Sequence, residues 1–416
     1  MIMDWHVKSE RVSSAKHPVA ELNWFGVPSR LAERDVWHIQ RFPRGGPCGN
    51  LLKSTAFDFM KQPGNAKFDA AALRQFGEAL LVGSGLAEDR ARDVAEVLLE
   101  GDLLGHTTHG FALLPAYLEA LKDDTMEKRG EPMVVADHGA ALTWDGRYLP
   151  GPWLVRHAIH IARERLAEHP VVTVVIRHSH HIGCLQAYLK PVTEAGCFIL
   201  LTCSDPQSRT VTPHGGAAPR YSPNPLAVGI PTGGEPVLID ISTASTANAL
   251  CQRLAAAGER LPGPWLVDRA GQPTDDPQVL FNNRGGAILP LGGTDLGYKG
   301  FALGLFVEAL TNALGGHGRA TGETRWGASV FLQLINPEQF GGREAFLRET
   351  GFFAQFCAET PVPAGKPPVR LPGHAALARR ADQLARGVQL HPTILPALIP
   401  WAESLKVKPP LAFSPT

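Results

Sequence analysis

Between residues 69 and 104, apolar residues recur at three- and four-residue spacing through "FDAAALRQFGEALLVGSGL" and "EDRARDVAEVLLEGDLL". That spacing is the signature of helices burying one face. It predicts one helix from Asp69 to about Gly85 and a second from Glu88 to about Leu104, turning at Gly83-Ser84-Gly85. Further along, the period changes. "PVVTVVIRHSHH", "GCFILLTCS", "PLAVGIP" and "PVLIDIS" are short β-branched runs that read as buried strands, and they alternate with helical stretches such as 300–314. An α/β core over roughly 140–315 follows. It is preceded by a helical region at 67–139 and followed by one at 316–405, interrupted at "ETPVPAGKPPVRLPGH", and by a tail at 406–416. Residues 1–66 show no periodicity and scattered Pro, Gly and Trp, so they are expected to form a poorly ordered extension without chemistry.

Composition narrows the class. With 44% apolar residues in 416, the chain can bury a substantial core. Forty basic residues balance forty acidic ones, which gives no electrostatic reason to bind nucleic acid or an anionic membrane. The six cysteines are scattered without a C-x-x-C pair, which argues against a disulfide framework or zinc ribbon and fits a cytoplasmic protein with reduced thiols. No exporting N-terminal segment and no membrane-length apolar run is present. The expected partners are a small-molecule substrate and a second copy of the chain.

The chain lacks the G-x-G-x-x-G of a Rossmann domain, and Gly83-Ser84-Gly85 lies between helices where a turn explains it. P-loop, H-E-x-x-H and G-x-S-x-G patterns are also missing. Two histidine clusters remain, one in "GDLLGHTTHG" and one in "IRHSHHIG". Neither has a carboxylate or cysteine at ligand spacing, so no metal site is expected, and His106, His178 and His180 each read as structural. His109 is different. It stands between Thr108 and Gly110 just past a helix, with a hydroxyl neighbour and a pKa near working pH, as a general acid or base requires.

"GDLLGHTTHGFALLPAYLEAL" resembles the signature of the type-2 malate/L-lactate dehydrogenase family, an acid and G-H followed by [ST]-H-G and P-x-Y. "VIRHSHHIG", "VTPHGGAAPRYSPNPLAVGIP", "GEPVLIDISTAS", "LPGPWLVDRAGQPTDDPQ", "ILPLGG" with "GYKG", and "VRLPGH" match further family stretches in order, over roughly residues 67–400. The resemblance implies a homodimeric oxidoreductase using NAD or NADP on a family-specific, non-Rossmann α/β fold with a mixed sheet. It implies hydride transfer between the cofactor and a small 2-hydroxy or 2-oxo acid of the malate or lactate kind. A second branch reduces piperideine-2-carboxylate and pyrroline-2-carboxylate, and a cofactor-binding paralogue without ordinary turnover is a further alternative.

Carried over by position, the resemblance makes His109 the catalytic acid/base, with Thr108 beside it, His181 a second active-site histidine and Asp240 an acid near the centre. It assigns cofactor binding to Pro236, Val237, Leu238, Ile239, Asp240, Ile241 and Ser242, to Tyr298 and Lys299, to Gly373 and His374, and to Asn224. The sequence departs from the family where an arginine normally follows the catalytic histidine by four residues, because Leu113 stands there. Arg209, Arg177 and Arg220 are the candidate replacements for binding a substrate carboxylate. "TDLG", ahead of "YKG", is an insertion expected to enlarge a cofactor-side loop.

Overall fold

The computed structural model describes residues 66–412. The expectations for residues 1–65 and for the end of the tail lie outside them. The first helix, α1 (Ala70–Gly83), starts where the Asp69 carboxylate accepts the Ala72 N–H at 2.8 Å. After Gly85 turns the chain at φ +96°, α2 (Glu88–Leu104) follows and ends on Gly105 at φ +93°. These two helices, α3 (Leu114–Lys122) and the last helix of the chain (Ile394–Leu405) bury Leu73, Leu80, Leu98, Tyr117 and Leu398 in one helical core.

A seven-stranded mixed sheet forms the second layer. Its strands are β1 (Met133–Asp137), β2 (Ala141–Asp145), β3 (Val171–Ser179), β4 (Phe198–Ser204), β5 (Leu226–Ile230), β6 (Val237–Ile241) and β7 (Ala328–Ile335). They lie in the order β1-β2-β3-β7-β4-β5-β6. Only β2 and β3 run parallel, and every other neighbouring pair is antiparallel. Helix α4 (Gly151–Arg165) covers the sheet by packing Trp153, Leu154 and Ala158 against Val174, Ile176 and Leu332. This burial is the main adhesive of the α/β layer.

Two strands of this sheet fall outside the core expected at 140–315. Strand β7 sits at the centre of the sheet, inside the stretch 316–405 expected to be helical. Seven of its eight positions read "ASVFLQL", nearly all buried, so they show neither alternation nor a helical stripe. At the edge, β1 lies within the stretch 67–139 read as helical, and most of its side chains are exposed.

After the short α5 (Leu189–Glu194) and α6 (Asn248–Ala257), the chain forms α7 (Gly293–Glu308). The "TDLG" insertion extends the first turn of α7 instead of enlarging a loop, with Asp295 near the positive helix end. The remaining helices are α8 (Arg343–Ala358), α9 (His374–Arg386) and α10 (Ile394–Leu405). Among the described residues five cysteines are free thiols, and no helix is long and apolar enough to cross a membrane.

Candidate active site

The loop after α2 is held shut by Asp102. Its Oδ2 accepts the Phe111 N–H at 2.7 Å across the loop, and a Cβ on Gly110 would lie 2.3 Å from that oxygen. Only glycine permits this approach. Burial pushes the Asp102 carboxyl up to about 7, against the lowering effect of the Phe111 N–H. Asp102 therefore shapes the loop that carries the histidines.

Within that loop, Thr108 Oγ1 stands 2.9 Å from His109 Nδ1, and the His109 N–H donates to the His106 carbonyl at 2.8 Å. Burial, reinforced by the charge of His106, lowers His109 to about 4, so its imidazole is neutral near pH 7. His181, just past β3, lies with its ring 6.1 Å from that of His109 at 25°. Its Nδ1 accepts the Gly183 N–H at 3.2 Å and lies 2.9 Å from the Tyr117 hydroxyl, which leaves the ring proton on Nε2. Trp326 covers the His181 ring at 5.2 Å, and burial lowers this histidine to about 3. Gly151 packs against the His180 and His181 carbonyls with no room for a Cβ.

Asp240 belongs to the same neighbourhood through a different histidine. Its Oδ2 accepts the Gln186 N–H at 2.9 Å, while Gln186 Oε1 is 2.6 Å from His106 Nε2. Burial raises the Asp240 pKa and His106 opposes that rise. His106 therefore takes part in the site's hydrogen bonding where the sequence alone reads it as structural, and Gln186, Tyr117 and Trp326 join it without standing out in the sequence. The G-H and P-x-Y of the family signature were the available signals for two of these.

Two of the expected cofactor stretches, 236–242 and 373–374, meet on β6. The Leu238 N–H donates to the Pro372 carbonyl at 3.0 Å, and Gly373, at φ +91°, packs so that a Cβ would meet Leu238 at 2.7 Å. His374 opens α9 with Nδ1 3.4 Å from Glu235 Oε2 and a buried Nε2 that has no partner. Beyond β6, the Thr243 carbonyl accepts the Leu291 N–H at 2.9 Å, which fixes the turn into α7. Tyr298 and Lys299 are exposed on that helix, with Lys299 Nζ 5.9 Å from the Tyr298 ring. Asn224 is fully buried, and its amide donates to the Gly304 carbonyl and to Glu308 Oε1 while its oxygen accepts from Ser222. Its side chain is thus used to hold α7 in place.

Leu113 lies in the 3-10 turn Phe111–Leu113 and packs on the helical core. Of the candidate cations, Arg177 pairs with Asp145 at 3.1 Å, while Arg209 and Arg220 are exposed. Cavities of 510 and 360 Å³ are lined by residues around Arg379 and around Arg156, and neither takes in His109, His181 or Asp240.

The malate/L-lactate dehydrogenase family matches residues 68–399. The L-lactate dehydrogenase of Cupriavidus necator is 32% identical over 354 residues, covering 83% of this chain and all of the relative. The Delta(1)-pyrroline-2-carboxylate/Delta(1)-piperideine-2-carboxylate reductase of Pseudomonas syringae pv. tomato is 32% identical over 324 residues, 74% of this chain and 88% of its own length. Malate dehydrogenase from Entamoeba histolytica shares the fold at a TM-score of 0.78 and 22% identity, covering 84% of this chain and all of that one. The chain belongs to the malate/L-lactate dehydrogenase family and is an oxidoreductase.

Proposed function

We propose that this protein is an NAD- or NADP-dependent dehydrogenase that oxidises a small 2-hydroxy acid of the malate or lactate kind, with His109 taking the hydroxyl proton. The observation that carries this reading is the neutral, partly buried His109 imidazole, held on one nitrogen by Thr108 and flanked by the fixed His181 ring. A neutral imidazole can accept a proton at once, and positioned acid–base groups contribute about 10²–10⁴-fold.

Three features of this chain suit the nicotinamide cofactor that dehydrogenases of the family use. Gly373 brings the start of α9 against Leu238 of β6, the buried Nε2 of His374 has no partner of its own, and Lys299 is exposed on α7. A helix start with bare N–H groups and an ammonium suits a diphosphate. When bound, the cofactor carries the hydride to or from substrate C2. In oxidation His109 receives the proton, and the His181 ring stacks beside it, fixed by Tyr117 and by Trp326. Asp240 acts at one remove, holding His106 through Gln186.

A second reading is reduction of a cyclic imino acid, favoured by the similarity to the Pseudomonas reductase and by Leu113 at the usual arginine position. We further propose a homodimer. Phe352, Phe353 and Phe356 on α8 are each about two-thirds exposed, more apolar surface than an isolated helix face tolerates in water.

The test follows NADH and NADPH oxidation with a panel of 2-oxo acids and the two cyclic imino acids, and the reverse reaction with the hydroxy acids. Turnover of malate, lactate or a close analogue supports the first reading. Turnover confined to the imino acids replaces it with the second, and silence with cofactor still bound marks a paralogue without ordinary turnover.

A further inference from the structure

One histidine of "IRHSHH" joins a different group: His178 lies near the end of β3, and His317 and Glu323 come from the segment that follows α7. Donor atoms of the three lie within 4.8 Å of one another, and the two imidazole centroids are 3.8 Å apart. His317 Nε2 is 3.2 Å and His178 Nε2 3.9 Å from the same oxygen, Glu323 Oε2.

Asp145 Oδ2 lies 2.9 Å from His178 Nδ1, and a carboxylate only accepts, so Nδ1 carries the proton and Nε2 has the free lone pair. Thr321 Oγ1 donates to the Gly318 carbonyl and stands 3.2 Å from His317 Nδ1. His317 Nε2 faces Glu323 Oε2 at 3.2 Å, so without a metal a proton sits between them, and a bound metal takes its place. Two imidazole nitrogens and a carboxylate oxygen converge, each histidine contacted from behind as metal-bound histidines are. His178 adopts φ +50°, a left-handed conformation a non-glycine residue holds only when its surroundings impose it.

We propose that His178, His317 and Glu323 form a binding site for a divalent transition metal, with zinc the best match to two imidazoles and one carboxylate. Tetrahedral ligands at zinc bond lengths stand roughly 3.3 Å apart. The Glu323–His317 pair already has that spacing, and His178 Nε2, 3.9 Å from Glu323 Oε2, closes on that oxygen by about 0.6 Å. Asp145 and Thr321 are positioning residues. Tyr148 donates to Glu323 and is covered by Arg325, while Arg177 pairs with Asp145, so the local charges without the metal are two carboxylates against two guanidinium groups. His178 is 24% exposed, which leaves a path to solvent and to a fourth ligand. The sequence hides the site because its carboxylates stand far from "IRHSHH" along the chain.

A second donor group, His106, Cys184 and Asp240, serves as the internal control. Its His106 Nε2 and Asp240 Oδ2 are already engaged by Gln186.

The test titrates chelator-stripped full-length protein with zinc and, separately, with cobalt(II). One metal per chain is expected, with a zinc-dependent rise in melting temperature. His317→Ala and Glu323→Gln should each weaken binding by at least about 100-fold, since losing even an outer-shell partner costs 10–100-fold, and Thr321→Val by about 10-fold. Cys184→Ala should leave binding unchanged. Metal-free circular dichroism matching the parent shows that the variants fold. Absence of stoichiometric zinc, or binding that survives Glu323→Gln and His317→Ala, overturns the site. The cobalt spectrum of the unaltered protein decides independently of any variant: nitrogen and oxygen ligation alone supports it, and a thiolate charge-transfer band contradicts it.

Discussion

His109 and His181 are neutral because they are buried, with repulsion from neighbouring imidazoles a smaller contribution in the same direction. For a base working in the free enzyme this sets the acid limb of activity. The kcat/KM for hydroxy-acid oxidation should stay flat from neutrality downwards and fall only as pH approaches about 4, measured as a pH–rate profile. A limb near 6.5, the ordinary histidine value, would show an exposed, unshifted base instead. Asp102 carries the opposite sign. Its folded pKa, raised to about 7, lies above its unfolded value, so the neutral form is the one the fold prefers. Its contribution is favourable below the unfolded pKa and lost as pH rises through about 7. Asp102→Asn keeps an acceptor for the Phe111 N–H and removes that titration, so melting curves at pH 5 and pH 8 should show the variant gaining on the parent at the higher pH. At this scale the contact between Thr108 and His109 could be read from "TTHG", because the two side chains are adjacent in the chain. The role of Asp102 as a clamp could not, because it depends on where Phe111 folds back.

Elements bring together what the chain separates. Strand β6 joins the 372–374 turn on one side and the turn into α7 on the other, which is how "PVLID", "LPLGG" and "RLPGH" become neighbours. The helices α1 and α2 could be read from their stripes, with ends set by Asp69 and Gly105. Strand β7 could not, because a strand buried on both faces has no period to read and is paired only through partners remote in sequence. Close packing at the loop gives a direct test. Gly110→Ala forces a methyl group against the Asp102 carboxylate, and overpacking of this kind costs about 1–3 kcal/mol. Thermal or urea unfolding should show that loss together with reduced turnover. A variant of parental stability and activity would show that the loop relaxes freely.

The described residues combine a helical core and a sheet layer with the candidate site on loops, and the apolar α8 face is exposed in the single chain. Light scattering should report a dimer, and Phe352→Asp with Phe356→Asp should shift it to monomer. A monomeric parent would leave that face without a second copy to cover it. Proton transfer at His109 is tested most directly by steady-state oxidation of the best hydroxy acid by the parent and by His109→Ala, with cofactor affinity measured in parallel. The expected result is a fall in kcat of about 10²–10⁴-fold with cofactor binding retained. Turnover within a few-fold of the parent would contradict it and move the base to another residue.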